Sequence, residues 1–168
     1  IEPARHELWK AAAKRAVEMA LANGPKPRDI ITHDSVDNAF VLDMAMGGST
    51  NTVLHTLAVA NEAGVNYNLE RINQLSKTTP NICKVSPSSS WHIEDVRDAG
   101  GISAILGEIS KIDGLLKLDC PTVSGKTLGE NIAGAKTLND KCIHTVENAY
   151  SKQGGLAILS GNIAMEGS

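Results

Sequence analysis

Apolar side chains recur every three or four positions over most of the first 115 residues, and glycine or proline closes each such stretch. Pro3 to Asn23 is expected to be a helix: proline suits a first turn, Leu8, Ala12, Ala16, Met19 and Ala20 share one face, and Gly24, Pro25 and Pro27 end it. Trp9 is expected to pack against a neighbour. Arg28 to Ile31 reads as a short extended link. Thr32 caps a second helix reaching about Met46, with Val36, Phe40 and Met44 as a buried stripe. A third runs from Ser49 or Thr50 to Ala63, stopped by Gly64; apolar residues cover most of its circumference, which predicts a central position. Asn68 caps a fourth, with Leu69, Ile72 and Leu75 inside and Pro80 as terminator.

Asn81 to Val85 is a candidate short strand, and Ser86 to Ser90 a polar turn. Trp91 to Ala99 reads as a short helix with Ile93 and Val96 inside. After Gly100 and Gly101, Ile102, Ile105, Leu106, Ile109 and Ile112 form a strong helical stripe that ends at Gly114. Beyond Leu116 the periodicity fades. Thr127 to Ile132 suits little more than one helical turn, and Leu156 to Leu159 is a compact apolar run expected to be a strand. The pattern predicts a helix-rich fold with short candidate strands and a domain or subdomain boundary between about Leu118 and Lys141, which separates residues 1–118 and 142–168 by a link over 119–141.

Composition narrows the class. Of 168 residues, 42% are hydrophobic and 21% charged, as in ordinary globular domains, but only 3% are aromatic, so the core must be aliphatic. The net charge of −3 and the lack of a basic run argue against nucleic acid and membrane surfaces, and no apolar run is long enough to span a bilayer. Cys83, Cys120 and Cys142 are too widely spaced for a C-x-x-C motif. An odd count with no secretory signal points to reduced thiols and a cytoplasmic setting. The chain starts at Ile1 rather than Met and stops within a structured-looking stretch, the pattern of a piece of a longer protein.

The candidate chemistry centres on Gly47-Gly48-Ser49-Thr50-Asn51-Thr52-Val53-Leu54-His55. Two glycines break one helix and capping residues open the next, whose first N–H groups and positive dipole end suit a carboxylate or phosphate. The competing interpretation is a tight helix–helix corner with Ser49 or Thr50 as cap and His55 half-buried. Asp43, among apolar neighbours, needs a partner: a metal or proton-transfer role is one option, and bonding to the following glycine turn is the simpler one.

The same residues carry a family resemblance. Ala45 to His55 resembles a signature of the dihydroxy-acid dehydratase / 6-phosphogluconate dehydratase family. The likeness continues through Leu57 to Gly64, Pro80-Asn81-Ile82-Cys83, Ser86-Pro87-Ser88, Glu94-Asp95-Val96, Ala99-Gly100-Gly101, Thr127-Leu128 and Gly154 to Leu159, in order along nearly the whole chain, and Asn51 to His55 resembles the dihydroxy-acid branch.

The resemblance implies the later part of an N-terminal α/β domain and the first strands of a C-terminal β-barrel-like domain. The implied reaction is dehydration of 2,3-dihydroxy-3-methyl carboxylic acids to 2-oxo acids of valine and isoleucine biosynthesis. An iron–sulfur cluster would act as Lewis acid with Mg²⁺ orienting the substrate. No position here matches the family's cluster cysteines, Mg²⁺ ligands or base, so the catalytic and metal sets are expected elsewhere in the longer, homo-oligomeric protein. Gly48, Ser49, Thr50, Asn51 and His55 are then expected to bind substrate or line its cavity: the N–H groups of 48–50 and the side chains of 49–51 would hold a carboxylate, and His55 would orient a neighbour. A 6-phosphogluconate-type dehydratase is the second interpretation, to be favoured if the full-length protein has more basic residues around the cavity to receive a phosphate. A non-catalytic helical binding or assembly module is the third, and it predicts a chain that needs no missing segments.

Overall fold

The computed structural model describes residues 3–165 and 167. Its elements are α1 (Pro3–Leu21), α2 (Pro27–Ile30), α3 (His33–Met46), α4 (Thr50–Ala63), α5 (Leu69–Thr78), α6 (Ile93–Asp98), α7 (Gly101–Ile109), α8 (Leu128–Ile132) and a 3₁₀ turn at Val146–Asn148. Helix starts follow local chemistry. Thr32 Oγ1 accepts the Ser35 N–H while Ser35 Oγ accepts the Thr32 N–H, a reciprocal box that opens α3. Asn68 Oδ1 accepts the Arg71 N–H to open α5, and Thr127 and Glu130 form the box before α8.

The core is built around α3. Phe40, Val41, Met44 and Ala45 are all fully buried and share one broad face of the helix, which Val36, Asp37, Asn38 and Asp43 extend on either side. α4, α5 and α7 pack on it, α7 through Ile105 and Ile109. Cys142 and Ile143, far along the chain, close the same core. Because the buried arc takes up more than half of the α3 circumference, leaving the strip of Ser35, Ala39, Leu42 and Met46 towards solvent, the polar side chains within that arc need internal partners. Asn38 Nδ2 donates to the Lys117 carbonyl and its Oδ1 accepts the Lys117 N–H, pinning the stretch after α7. Asp37 Oδ1 accepts from Tyr67 Oη (2.5 Å) and Arg71 Nε (3.1 Å), and its Oδ2 accepts from Arg71 Nη2 (2.5 Å), joining α3 to α5. Burial pushes the Asp37 pKa up. The hydrogen bonds from Arg71 and Tyr67, with the charges of Arg71 and His33, outweigh it and hold the carboxyl below its ordinary value.

Several expectations are corrected. α4 is peripheral: only Ala60 is buried and Leu54 is 68% exposed, because α3 already occupies the centre. Residues 27–30 form a helical turn rather than an extended link, started by Pro27 and by the Asp29 carboxylate accepting the Lys26 N–H. α1 buries no residue, and Trp9, 50% exposed, meets His6 edge-on at 5.0 Å instead of a distant neighbour. Ile93 is 57% exposed because it opens α6 on the outer side, while Val96 faces inward. The strands at 81–85 and 156–159, the latter read as barrel strands, are absent among the described residues. Isolated antiparallel bridges Asn81–Ser151, Cys83–Ile143 and Pro121–Thr127 occur instead. Residues 156–159 still alternate inward and outward, but among the described residues no backbone hydrogen bond reaches them to make a ladder.

The Asp37 pair gives a prediction. Arg71→Met leaves a buried carboxylate unpaired and is expected to destabilise the fold by roughly 3 kcal/mol in urea unfolding, with Asp37→Leu added to it recovering much of the loss. The folded-state pKa lies below the unfolded value, so this contribution is complete above the unfolded value, near 4, and disappears as pH falls through the folded pKa. Urea midpoints between pH 3 and 7 check both statements.

Candidate functional site

The corner after α3 is made by glycine for two separate reasons. Gly47 takes φ 55° and ψ 53°, the left-handed conformation, and its N–H returns to the Asp43 and Met44 carbonyls. It also lies against Gly155: a Cβ on Gly155 would fall on the Gly47 Cα, so the two chain segments touch backbone to backbone. The Gly155 N–H donates to Met44 O (2.9 Å), the Gly154 N–H to Ser76 O (2.7 Å), and the Ser76 hydroxyl to Leu156 O. Residues 154–156 are thus strapped across the ends of α3 and α5.

Asn81 holds this junction from beneath. Its Nδ2 lies 3.2–3.3 Å from the carbonyls of Met44, Ala45 and Cys83. Its N–H donates to Ser151 O, and its carbonyl accepts the Tyr150 N–H. The side chain is fully enclosed, with Oδ1 unpartnered.

Asp43 answers the corner from inside. Its Oδ1 accepts the Ser49 N–H (3.2 Å), its carbonyl accepts the Gly48 N–H (3.0 Å), and a Cβ on Gly48 would collide with Oδ1. The anion nearest the start of α4 is therefore the protein's own carboxylate, which is the glycine-turn account of Asp43. Burial raises the Asp43 pKa, opposed by the Thr52 hydroxyl and the Ser49 N–H, and its Oδ2 has no hydrogen-bond partner of normal geometry. Ser49 is the N-cap, with Oγ accepting the Asn51 N–H (3.2 Å). The N–H of Thr50 has no partner among the described residues.

Of the residues singled out from sequence, Gly48 is half-buried, while Ser49, Thr50, Asn51 and His55 are exposed. Thr50 lines a cavity of about 300 Å³ whose other walls are Val53, Leu54 and Leu57 of α4, Leu69 of α5, and Leu156, Ala157, Ile158 and Gly167. Among the described residues this wall contains no Lys, Arg or His. His55 makes no hydrogen bond or ion pair among the described residues, so it is not the half-buried histidine of the simple-corner interpretation.

The other candidate groups are structural. His33, Asp34 and Asp37 each place a potential ligand atom within 4.8 Å of the others. Both Asp37 oxygens are held by Arg71 and Tyr67, however, and the guanidinium stands where a divalent cation would repel it, so this set does not fit Mg²⁺. The cysteines do not fit an iron–sulfur cluster: among the described residues no group of three clustered ligand atoms includes a sulfur. All three thiols are buried, with burial pushing Cys83 up to about 11. Sequence reasoning missed the Asp37–Tyr67–Arg71 network and the Asn81 clamp. A carboxylate directly beside the Val36–Phe40 stripe was the one local sign of the first.

Gly48→Ala places a methyl group on the Asp43 carboxylate, which must leave the Ser49 N–H. It is expected to cost on the order of 1–3 kcal/mol in urea unfolding and to exceed Gly64→Ala, whose position has φ 79° but open space.

Comparison with known proteins places this geometry. Residues 1–131 match the family described as dihydroxy-acid/6-phosphogluconate dehydratase, N-terminal. A relative from Akkermansia muciniphila named dihydroxy-acid dehydratase is 64% identical over 163 residues, covering 97% of this chain and 29% of that relative. With the match running through α1 to α8 and across the whole glycine corner, the chain belongs to the dihydroxy-acid/6-phosphogluconate dehydratase family.

Proposed function

We propose that the full-length protein is a dihydroxy-acid dehydratase, of which this chain is an internal part inactive by itself. The reaction is loss of water from 2,3-dihydroxy-3-methylbutanoate and its ethyl homologue: a base takes the C2 proton, the C3 hydroxyl leaves, and the resulting enol becomes the 2-oxo acid used for valine and isoleucine. The observation that carries this reading is 64% identity, over nearly the whole chain, to a relative bearing that name. The aliphatic wall beside Thr50 supports a branched-chain acid over a sugar phosphate, for which it offers no cation.

Within that protein, Gly48, Ser49, Thr50, Asn51 and His55 form part of the substrate cavity wall. The engagement of the Gly48 and Ser49 N–H groups by Asp43 narrows the donors available to a carboxylate to the Thr50 N–H and the polar side chains of 49–51. An iron–sulfur cluster and Mg²⁺, which would stabilise the departing hydroxyl and orient the carboxylate, belong to segments outside this chain. The division into 1–118, a link over 119–141 and 142–168 belongs to the same reading; the N-terminal family match ends at residue 131, inside that link, while Cys142, Ile143 and residues 154–156 pack on the first unit. A cytoplasmic homo-oligomer completes the reading; no described helix is long and apolar enough to cross a membrane.

The test uses the full-length protein, reconstituted anaerobically with iron, sulfide and Mg²⁺, with 2-oxo acid formation followed from 2,3-dihydroxy-3-methylbutanoate and from 6-phosphogluconate. Turnover of the first alone is expected, with none from the 168-residue chain, and Asn51→Ala is expected to lower kcat/KM by about tenfold or more. Turnover of the second alone moves the assignment to the sugar-acid branch.

A further inference from the structure

α1 is the least explained element of the fold. It is 19 residues long, about 28 Å, and buries none of them. At 100° per residue, Leu8, Trp9, Ala12, Ala16, Ala20 and Val17 fall within one half of its circumference, while Glu7, Lys10, Lys14, Arg15 and Glu18 occupy the other; Arg5 and His6 interrupt the apolar half only in its first turn. Leu8 and Val17 are each about three-fifths exposed. One side-chain hydrogen bond, from Arg15 Nε to the Val123 carbonyl (2.7 Å), ties the helix to the body. Ala12, Ala16 and Ala20 form a floor of small side chains in a groove of about 540 Å³ closed by Asn23 to Pro27 and Val123.

An isolated helix of this length is marginal in water, and an apolar half-cylinder gains stability only when covered. We propose that the apolar face of α1 is an intramolecular docking surface, covered in the full-length protein by an apolar helix of the same polypeptide from outside these 168 residues. Two observations select that occupant. The matched stretch is 29% of its relative, so the whole protein is more than three times as long and has ample chain to supply the cover. The alanine floor admits another helix at close range. The proposal rests on the reading that this chain is part of a longer dehydratase, but not on its substrate.

Hydrogen exchange of the full-length protein tests it. Peptides from residues 3–21 are expected to exchange at least about 100-fold more slowly than an unstructured chain, equally at dilute and concentrated protein. Ala16→Arg, which obstructs the groove, is expected to reduce that protection by about tenfold or more, and Lys14→Glu on the polar side to leave it unchanged. Exchange at the unstructured rate in the wild-type protein overturns the proposal. So does protection that grows with concentration alongside dimer formation in light scattering, which assigns the face to a second copy. The readout needs no turnover, so a protein with protected α1 that dehydrates neither substrate refutes only the enzymatic reading.

Discussion

The buried arc of a helix can carry polar side chains only where each finds a partner, and α3 carries three such groups. Asp37 reaches Arg71 and Tyr67, Asn38 reaches the backbone of Lys117, and Asp43 reaches the Ser49 N–H of the corner that follows. These bonds fix what surrounds the helix: the first sets α5, the second sets the chain after α7, and the third sets the start of α4. Apolar packing supplies most of the driving force for burial, but it is tolerant of small shifts. Charged and bidentate hydrogen bonds are not, so they define the register of the neighbours.

The glycine corner inherits its shape from this arrangement. Its main constraint is lack of space: Gly47 against Gly155, Gly48 against the Asp43 carboxylate, and Asn81 gathering three carbonyls below. The helix terminus that looked ready for an external anion already holds an internal one. What remains open beside it is the exposed stretch Ser49 to Asn51, of which Thr50 lines a cavity with aliphatic walls. That combination is compatible with a small branched acid whose polar and apolar ends must be held apart.

Local sequence was a good guide wherever a short-range rule decides the outcome. The caps at Thr32, Ser49 and Asn68, the stops at Gly47 and Gly64, and the buried stripes of α3 and α7 were all legible, because each depends on residues within one or two turns. The Gly47–His55 stretch was also legible as a place of interest, through the density of glycines and capping side chains and through its resemblance to a dehydratase signature.

What only the tertiary structure decided was which apolar faces find partners. α4 looks central by composition, yet it buries only Ala60, while α3 buries eight residues with Asp37 and Asn38 paired inside. Leu156 to Leu159 has the alternation of a strand, but a strand exists only when a second segment supplies a backbone ladder; among the described residues Leu156 O accepts the Ser76 hydroxyl and no backbone bond reaches 156–159. The sequence by itself determined the helices, their ends and the family. Long-range partners determined the centre, the fate of the extended segments and the internal use of Asp43, because burial and ladder formation are properties of two surfaces, and periodicity describes only one of them.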